Sequence, residues 1–498
     1  MIKLTNLTGL LKRFMGILYP NISGRCYAMG RNEAEKLYDS GKEPTVEKLL
    51  QQDAENKQLK EKIAQLQRNS QESSKPPSSD NPKGRNREDE NHSKSKRKPG
   101  GQPGHKGTYR QLIPLDEVDE VIPVYPKTCG CCNKNLPKGK KANVVKEPYR
   151  WQVTEIPPIK PEVTEYQCFT VKCDCGHINK AQLPEEVAKS NFGPRLTAII
   201  AYLAAVCHLS RRGTEGFCQT LLGIDICLGS VQKLLEEMSE AMEPVDKELQ
   251  GALPSEAVIN ADETGWRDRW LWIFAASTFI YFRVSVTRGS HTLIDVLGNI
   301  YRGILCVDRW GAYTKYHKGL MQLCWAHLKR DFKGIAKIGE AKLSSDAITF
   351  AKKMEKLRKK LMDLWYIFKE GNMSRQELIQ KTEPVRSAME RHLKACKDSE
   401  ERRVRTLSRK LLKQLDNLFP FIFHEGVEPT NNLAERGIRP AVQWRKICFG
   451  NRSDNGAVLT SRLLTATRTC WLQRRNPLEF LVDAITAFRS SIQTPSLL

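Results

Sequence analysis

The stretch Val258-Ile259-Asn260-Ala261-Asp262-Glu263-Thr264-Gly265-Trp266 decides how this chain is read. It opens on a short apolar, β-branched run, which favours a buried strand, and Asp262 closes that run. Gly303-Ile304-Leu305-Cys306-Val307-Asp308-Arg309-Trp310-Gly311 repeats the arrangement with Asp308. Each Asp is expected at the C-terminal tip of a buried strand. Working outward, strand patterns occupy 257–261, 270–276, 279–286, 303–307 and 321–324, with a helical pattern near 290–299. A third acidic residue lies in Thr430-Asn431-Asn432-Leu433-Ala434-Glu435-Arg436-Gly437-Ile438-Arg439-Pro440. There Asn431, Asn432, Glu435, Arg436 and Arg439 recur at spacings of three and four, which predicts one polar face of a helix.

Taken singly, an Asp after a strand is usually a turn former or helix cap, and a helical Glu a solvated charge. Two strand-end Asp followed by a helical Glu, in a chain of net charge +23, favour another reading. Such carboxylates can converge on a pair of divalent ions, which clamps the attacking and leaving oxygens of a phosphodiester displacement. Arg436, Arg439, Arg445 and Lys446 make the segment around Glu435 dense in cations and are candidate phosphate contacts. His327 reads either as a group approaching the scissile phosphate or as a packed core histidine. Three strands, a helix and a further strand form the first part of a ribonuclease-H-like α/β layer. Residues 335–418 are charged and helix-periodic, which predicts a helical insertion before the Glu435 helix.

The chain has 498 residues, too many for one core, so several units are expected. Its 80 Lys and Arg against 57 Asp and Glu point to nucleic acid more than to an anionic membrane surface. No apolar run approaches the roughly 20 residues of a membrane span. The stretch from Leu4 to Tyr19 is interrupted by Lys12 and Arg13 and is not read as a signal peptide. Most of the 15 cysteines lie singly in apolar segments, which fits a reducing cytoplasm and not a disulfide framework.

Residues 46–68 carry a heptad pattern with Leu49, Asn56 and Ile63 on one core position and Gln52, Leu59 and Leu66 on the other. It reads as a coiled-coil dimer seam or as an isolated solvated helix. Residues 69–110 are a Ser/Pro/Gly-rich linker whose basic run includes Lys94, Lys96, Arg97, Lys98 and Lys106. That run is either a plain linker or a phosphate-tracking arm. Within 111–185, Cys129 and Cys132 form one paired turn and Cys173 and Cys175 another, with Val153 to Val171 read as strand. Four such thiolates suit a structural zinc; the alternative is unrelated buried thiols, and Cys131, Cys168 and His177 are spare ligands. Residues 190–250 are helical, with a Gly-containing turn at 223–227 that suits a helix-turn-helix or a helical packing subdomain.

In order along the chain stand Lys98-Pro99-Gly100-Gly101-Gln102-Pro103-Gly104-His105-Lys106-Gly107, the cysteine turns, Ala261-Asp262-Glu263-Thr264, Asp308-Arg309-Trp310-Gly311-Ala312-Tyr313, Cys324-Trp325-Ala326-His327-Leu328-Lys329-Arg330 and Asn431-Asn432-Leu433-Ala434-Glu435-Arg436. In this the sequence, from about residue 46 to 490, resembles the insertion-sequence 66 transposases, a branch of the DDE enzymes. The resemblance implies a multidomain α/β protein whose ribonuclease-H-like mixed-sheet core holds a catalytic triad of Asp262, Asp308 and Glu435 with two magnesium ions. It implies a coiled-coil N-terminus, a zinc-binding domain and a helical domain before that core. The core is expected in two parts, 255–334 and 421–490, around an insertion at 335–420; residues 1–45 have no assigned role. The expected activity is cleavage at insertion-sequence ends and strand transfer into target DNA by a cytoplasmic, nucleoid-associated bacterial protein. The alternatives are a nuclease without joining activity and a DNA-binding protein that no longer uses the triad. Expected partners are terminal inverted repeats, target DNA and a second copy of the chain, with accessory proteins of the same element allowed and no membrane.

Overall fold

The computed structural model describes residues 51, 54–56, 58–59, 110–342 and 344–498. Of the heptad segment only those few helical, exposed positions fall within it. The basic run with Lys94, Lys96, Arg97, Lys98 and Lys106 lies outside the described residues.

No side chain from 110 to 184 is buried, so this segment has no apolar core of its own. Its regular structure is slight. Strands β1 (Thr170–Lys172) and β2 (Ile178–Lys180) form an antiparallel hairpin. The strand expected over 153–171 is absent except at its end. Pro157, Pro158 and Pro161 interrupt the β-branched pattern, and proline removes the N–H that a ladder needs.

Four helices follow: α1 (Pro194–Ala205), α2 (Arg211–Leu222), α3 (Leu228–Ala241) and α4 (Glu243–Ala252). Pro194 sits at the first helical position of α1, where its missing N–H costs nothing. The Ser210 hydroxyl caps α2 by accepting from the Gly213 N–H, and Gly223 ends α2 with φ +66. The buried faces of these helices, including Ile200, Val231, Leu235 and Met238, belong to the same apolar core as one face of the central sheet. The segment expected as a separate helical domain therefore shares its core with the strands, and the Gly223 turn joins two packing helices.

The protein is mixed α/β, and its central sheet is mixed. It has five strands in the order β5-β4-β3-β6-β7: β3 (Val258–Trp266), β4 (Arg269–Ala275), β5 (Ile280–Ser285), β6 (Ile304–Val307) and β7 (Met321–Leu323). β3, β4 and β5 are antiparallel neighbours, whereas β3, β6 and β7 run parallel. Helices α5 (Ser290–Leu297) and α6 (Gly311–Tyr316) lie in the connections around β6. β3 is longer than its apolar run. Pairing with β4 continues to Trp266, with Asp262 opposite Ile273, so Asp262 is inside the strand and not at its tip. It stands where the parallel pairing with β6 ends, after Asn260.

From residue 325 onward no strand occurs among the described residues. The helices longer than one turn are α7 (Trp325–Lys342), α8 (Ser345–Lys369), α9 (Arg375–Cys396), α10 (Arg402–Leu412), α11 (Asn432–Cys448), α12 (Asp454–Leu472) and α13 (Pro477–Arg489). Residues 329–363 and 384–412 belong to one compact unit, a helical bundle in which Phe332 meets Phe350 and Phe350 stacks on His392. The sheet belongs to the other unit, with α11 on the face opposite α1 and α3, and α12 contributing Leu459, Leu463, Ala466 and Cys470 to the α1/α3 core and Leu464 to the α11 core. No helix among the described residues is long and apolar enough to cross a membrane.

Helix α12 also closes one edge of the sheet. Ser461, Thr465 and Thr469 recur every four residues, so their hydroxyls stack along one face. They accept from the backbone N–H groups of Val284, Phe282 and Ile280, at 3.0, 2.9 and 3.0 Å. Alternate N–H groups of edge strand β5, which would otherwise be buried without partners, are thereby satisfied.

Candidate active site

The parallel pairing of β3, β6 and β7 stops along one line across the sheet, and the residues just beyond it form the candidate site. Asn260 pairs with Cys306, so Asp262 and Asp308 each stand two residues past the last shared rung. Val307 pairs with Leu323, and the Cys324 N–H donates to the Val307 carbonyl at 2.9 Å. Asp262, Asp308 and Cys324 therefore line up where the parallel pairing of β3, β6 and β7 stops, the side of an α/β sheet at which ligands bind. Along β3, Ala261 faces the α1/α3 core while Trp266 faces the α11 core. Strand alternation turns Asp262 toward α11 as well.

Helix α11 carries Glu435 one turn from its start, and the loop before it is pinned twice. Asn431 was expected on the polar face; it is buried, 1% exposed. Its Nδ2 donates to the Ala261 carbonyl at 2.7 Å, next to Asp262, and its N–H donates to Cys324 Sγ at 3.2 Å. Asn432, Arg436 and Arg439 do face solvent. On the buried side of α11, a Cβ on Gly437 would lie 2.6 Å from Ile273 Cδ1, so glycine permits the close approach of helix to strand.

The carboxylates feel one another. Enclosure pushes the Asp262 carboxyl well above the usual carboxylate range, and the charges of Glu263, Asp308 and Glu435 push it further. The Glu263 N–H donates to Asp262 Oδ1 at 2.9 Å and partly offsets this. Asp308 accepts from the Trp310 N–H at 2.7 Å, which fixes its turn.

A second network lies on the opposite face of β3. The Glu263 side chain, 1% exposed, accepts from Arg288 Nη2 at 2.7 Å and from the Tyr313 hydroxyl. Burial and Asp308 raise its carboxyl, while Tyr313 and Arg288 pull it down. The Arg288 guanidinium lies 4.8 Å from the Trp270 ring and 4.1 Å from the Trp310 ring. Trp310 Nε1 donates to the Arg288 carbonyl at 3.3 Å. Arg288 thus links β3, beside Asp262, to the turn that carries Asp308. Sequence reasoning missed Arg288, Tyr313 and the clamp by Asn431. The Asp-Glu doublet at 262–263 was the available signal, since alternation sends its two carboxylates to opposite faces.

Of the expected phosphate contacts, Arg436, Arg439 and Lys446 are exposed. Arg445 turns back on the fold, where its Nη1 donates to Thr264 Oγ1 at 3.0 Å and to the Gly265 carbonyl. It ties α11 to β3 and is half-buried.

Glu435 also faces a second set of donors. Its Oε1 lies 3.8 Å from Cys324 Sγ and 3.5 Å from His327 Nδ1. Among the described residues, these are the one group of three or more His, Cys, Asp or Glu side chains whose ligand atoms all lie within 4.8 Å of one another. The paired cysteines behave differently. Backbone N–H groups of Cys132 and Cys131 and the Cys132 thiol lower the Cys129 thiol; the N–H and thiol of Cys175 lower that of Cys173. Each turn is formed, but the four sulfurs do not gather into one such group.

The Transposase IS66 family matches residues 189–459, more than half of the chain and all of the sheet. The chain belongs to that family. Membership implies DNA binding, DNA processing and use of a divalent metal. Residues 28–111 match a family of unknown function. Two curated relatives are from Sinorhizobium fredii. The chain is 25% identical to Uncharacterized protein y4hP over 414 residues, 74% of this chain and 72% of the relative. It is 27% identical to Uncharacterized protein y4qI over 243 residues, 44% of this chain and 43% of that relative.

Proposed function

We propose that this protein is a DDE transposase that cuts DNA at the ends of an insertion sequence and joins the freed 3′ ends to target DNA. In this reading the sheet with α11 is a ribonuclease-H-like core, and Asp262, Asp308 and Glu435 are its catalytic carboxylates. The observation that carries it is geometric: Asp262 and Asp308 each stand two residues past the last rung shared by β3 and β6, and the helix that carries Glu435 packs over the same face of the sheet. Carboxylates brought near one another in a fold are stable together only when protons or cations offset their charge. Their all-oxygen donor set fits a hard cation such as Mg²⁺. Two such ions would activate the attacking water or 3′-hydroxyl and stabilise the departing oxygen.

The chain's own groups then have separate tasks. Asn431 and Gly437 seat α11 so that Glu435 meets the strand ends. Arg288 braces β3 against the Asp308 turn through Glu263 and Trp310. Arg436, Arg439 and Lys446 are exposed on α11 and suit the DNA backbone. The basic run at 94–106 supplies a further phosphate-tracking arm, and the heptads bring two chains to two element ends. Zinc bound by Cys129, Cys132, Cys173 and Cys175 would complete the module at 111–185 and stand in for its missing apolar core.

The test is incubation with a labelled element end, a target plasmid and Mg²⁺, scoring nicks and joined products. Both are expected. Nicks without joining would replace this reading with that of a nuclease. Binding without either would leave only a DNA-binding protein.

A further inference from the structure

We propose that Cys324, His327 and Glu435 form a three-ligand site for a thiophilic divalent metal such as Zn²⁺, sharing Glu435 with the oxygen-only set at Asp262 and Asp308. The spacing of the donors is the first argument. Zn–S, Zn–N and Zn–O bonds of ordinary length at a tetrahedral centre place the ligand atoms about 3.3–3.6 Å apart. Glu435 Oε1 lies 3.8 Å from Cys324 Sγ and 3.5 Å from His327 Nδ1, and all three ligand atoms lie within 4.8 Å of one another, so the donors need only draw together to reach that spacing.

The second argument is the way the backbone fixes the donors. Cys324 follows β7 directly, and the N–H groups of His327 and Leu328 donate to its carbonyl at 3.1 and 3.2 Å. That first turn of α7 sets sulfur and imidazole on one side. The Asn431 N–H, at 3.2 Å from Cys324 Sγ, supplies the hydrogen bond that a bound thiolate accepts. Cys324 is 2% exposed, and the Glu435 side chain remains 32% exposed, so a metal could enter past the carboxylate and would keep a fourth position open.

The third argument is donor chemistry. Sulfur and imidazole select zinc-like ions, whereas Mg²⁺ prefers oxygen and retains its water. The two sets are therefore selective for different metals and meet at one carboxylate. A thiophilic metal drawn to Cys324 and His327 competes for Glu435 with the ions of the proposed catalytic set.

Cobalt(II) replaces zinc and gives a thiolate-to-metal absorption band. The experiment is Co²⁺ titration of the full chain, read as the difference between the parent protein and C324S, so that bands from the cysteines at 129, 132, 173 and 175 cancel. A Cys324-dependent band is expected, lost in H327A and E435Q. It should survive in a D262N/D308N double variant, which separates this site from the oxygen-only set. A parent and a folded C324S with the same spectrum would overturn the proposal, as would a band that persists undiminished in H327A. Should C324S not fold, H327A decides alone: a diminished cobalt spectrum supports the site and an unchanged one overturns it. A chain that shows the band but neither cuts nor joins DNA would leave this inference standing and remove the strand-transfer reading.

Discussion

At Asp262 the cost of burial coincides with the proposed catalytic role. Its carboxyl is raised, so the folded state holds this proton more tightly than the unfolded chain does. Stability from this group is therefore lost as pH rises from the unfolded value of about 3.9 toward the raised folded one. D262N removes the buried charge and with it the repulsion from its acidic neighbours. In metal-free protein its melting temperature should exceed the parent's, by a margin that grows between pH 4 and pH 8, while cleavage and joining vanish and end binding persists. A margin that does not change with pH would show that the repulsion is relieved in another way. The three proposed carboxylates stand out in the sequence because each breaks a regular pattern: Asp262 and Asp308 close apolar runs, and Glu435 sits among spaced polar residues. Asn431 looked the same in sequence yet is buried, because one backbone carbonyl on β3 needs its amide. For Arg288 the doublet at 262–263 signalled only that a buried carboxylate on the far face needs a partner, since Glu263, Trp270 and Trp310 are brought to Arg288 by strand pairing and the return of the chain after β6.

At the scale of elements, the strands of the sheet could be read to within a few residues, and the polar end of β3 was where the reading fell short. Asp262, Glu263, Thr264 and Gly265 do not look like strand, but β4 supplies their partners. The expected strand at 153–171 failed for the opposite reason, since its β-branched residues are interrupted by prolines and no neighbouring strand pairs with them. The hydroxyl ladder on α12 was invisible as well, because Ser and Thr inside a helix ordinarily bond back to their own turn. It makes a sharp prediction. T465V keeps shape but leaves the Phe282 N–H buried without an acceptor, and should cost about 1–3 kcal/mol in urea unfolding, whereas T465S should cost much less. Equal stability of T465V and the parent would mean that β5 does not depend on α12 for its edge.

For the whole molecule, charge is the property that sequence reports most directly, and +23 at neutral pH needs a polyanion to explain it. Neutralising Lys94, Lys96, Arg97 and Lys98 should weaken DNA binding equally across sequences and reduce the log–log salt slope by about 0.9 per lost phosphate contact. An unchanged slope would make that run a plain linker. The central claim concerns the three carboxylates, and metal-soaked crystals test it most directly. With Mn²⁺ in place of Mg²⁺, the anomalous map should show two peaks roughly 3.5–4 Å apart, bounded by Asp262, Asp308 and Glu435. Both peaks should be lost in D262N. A map with no ion at these carboxylates at saturating Mn²⁺, or with the same peaks in D262N, would contradict the account.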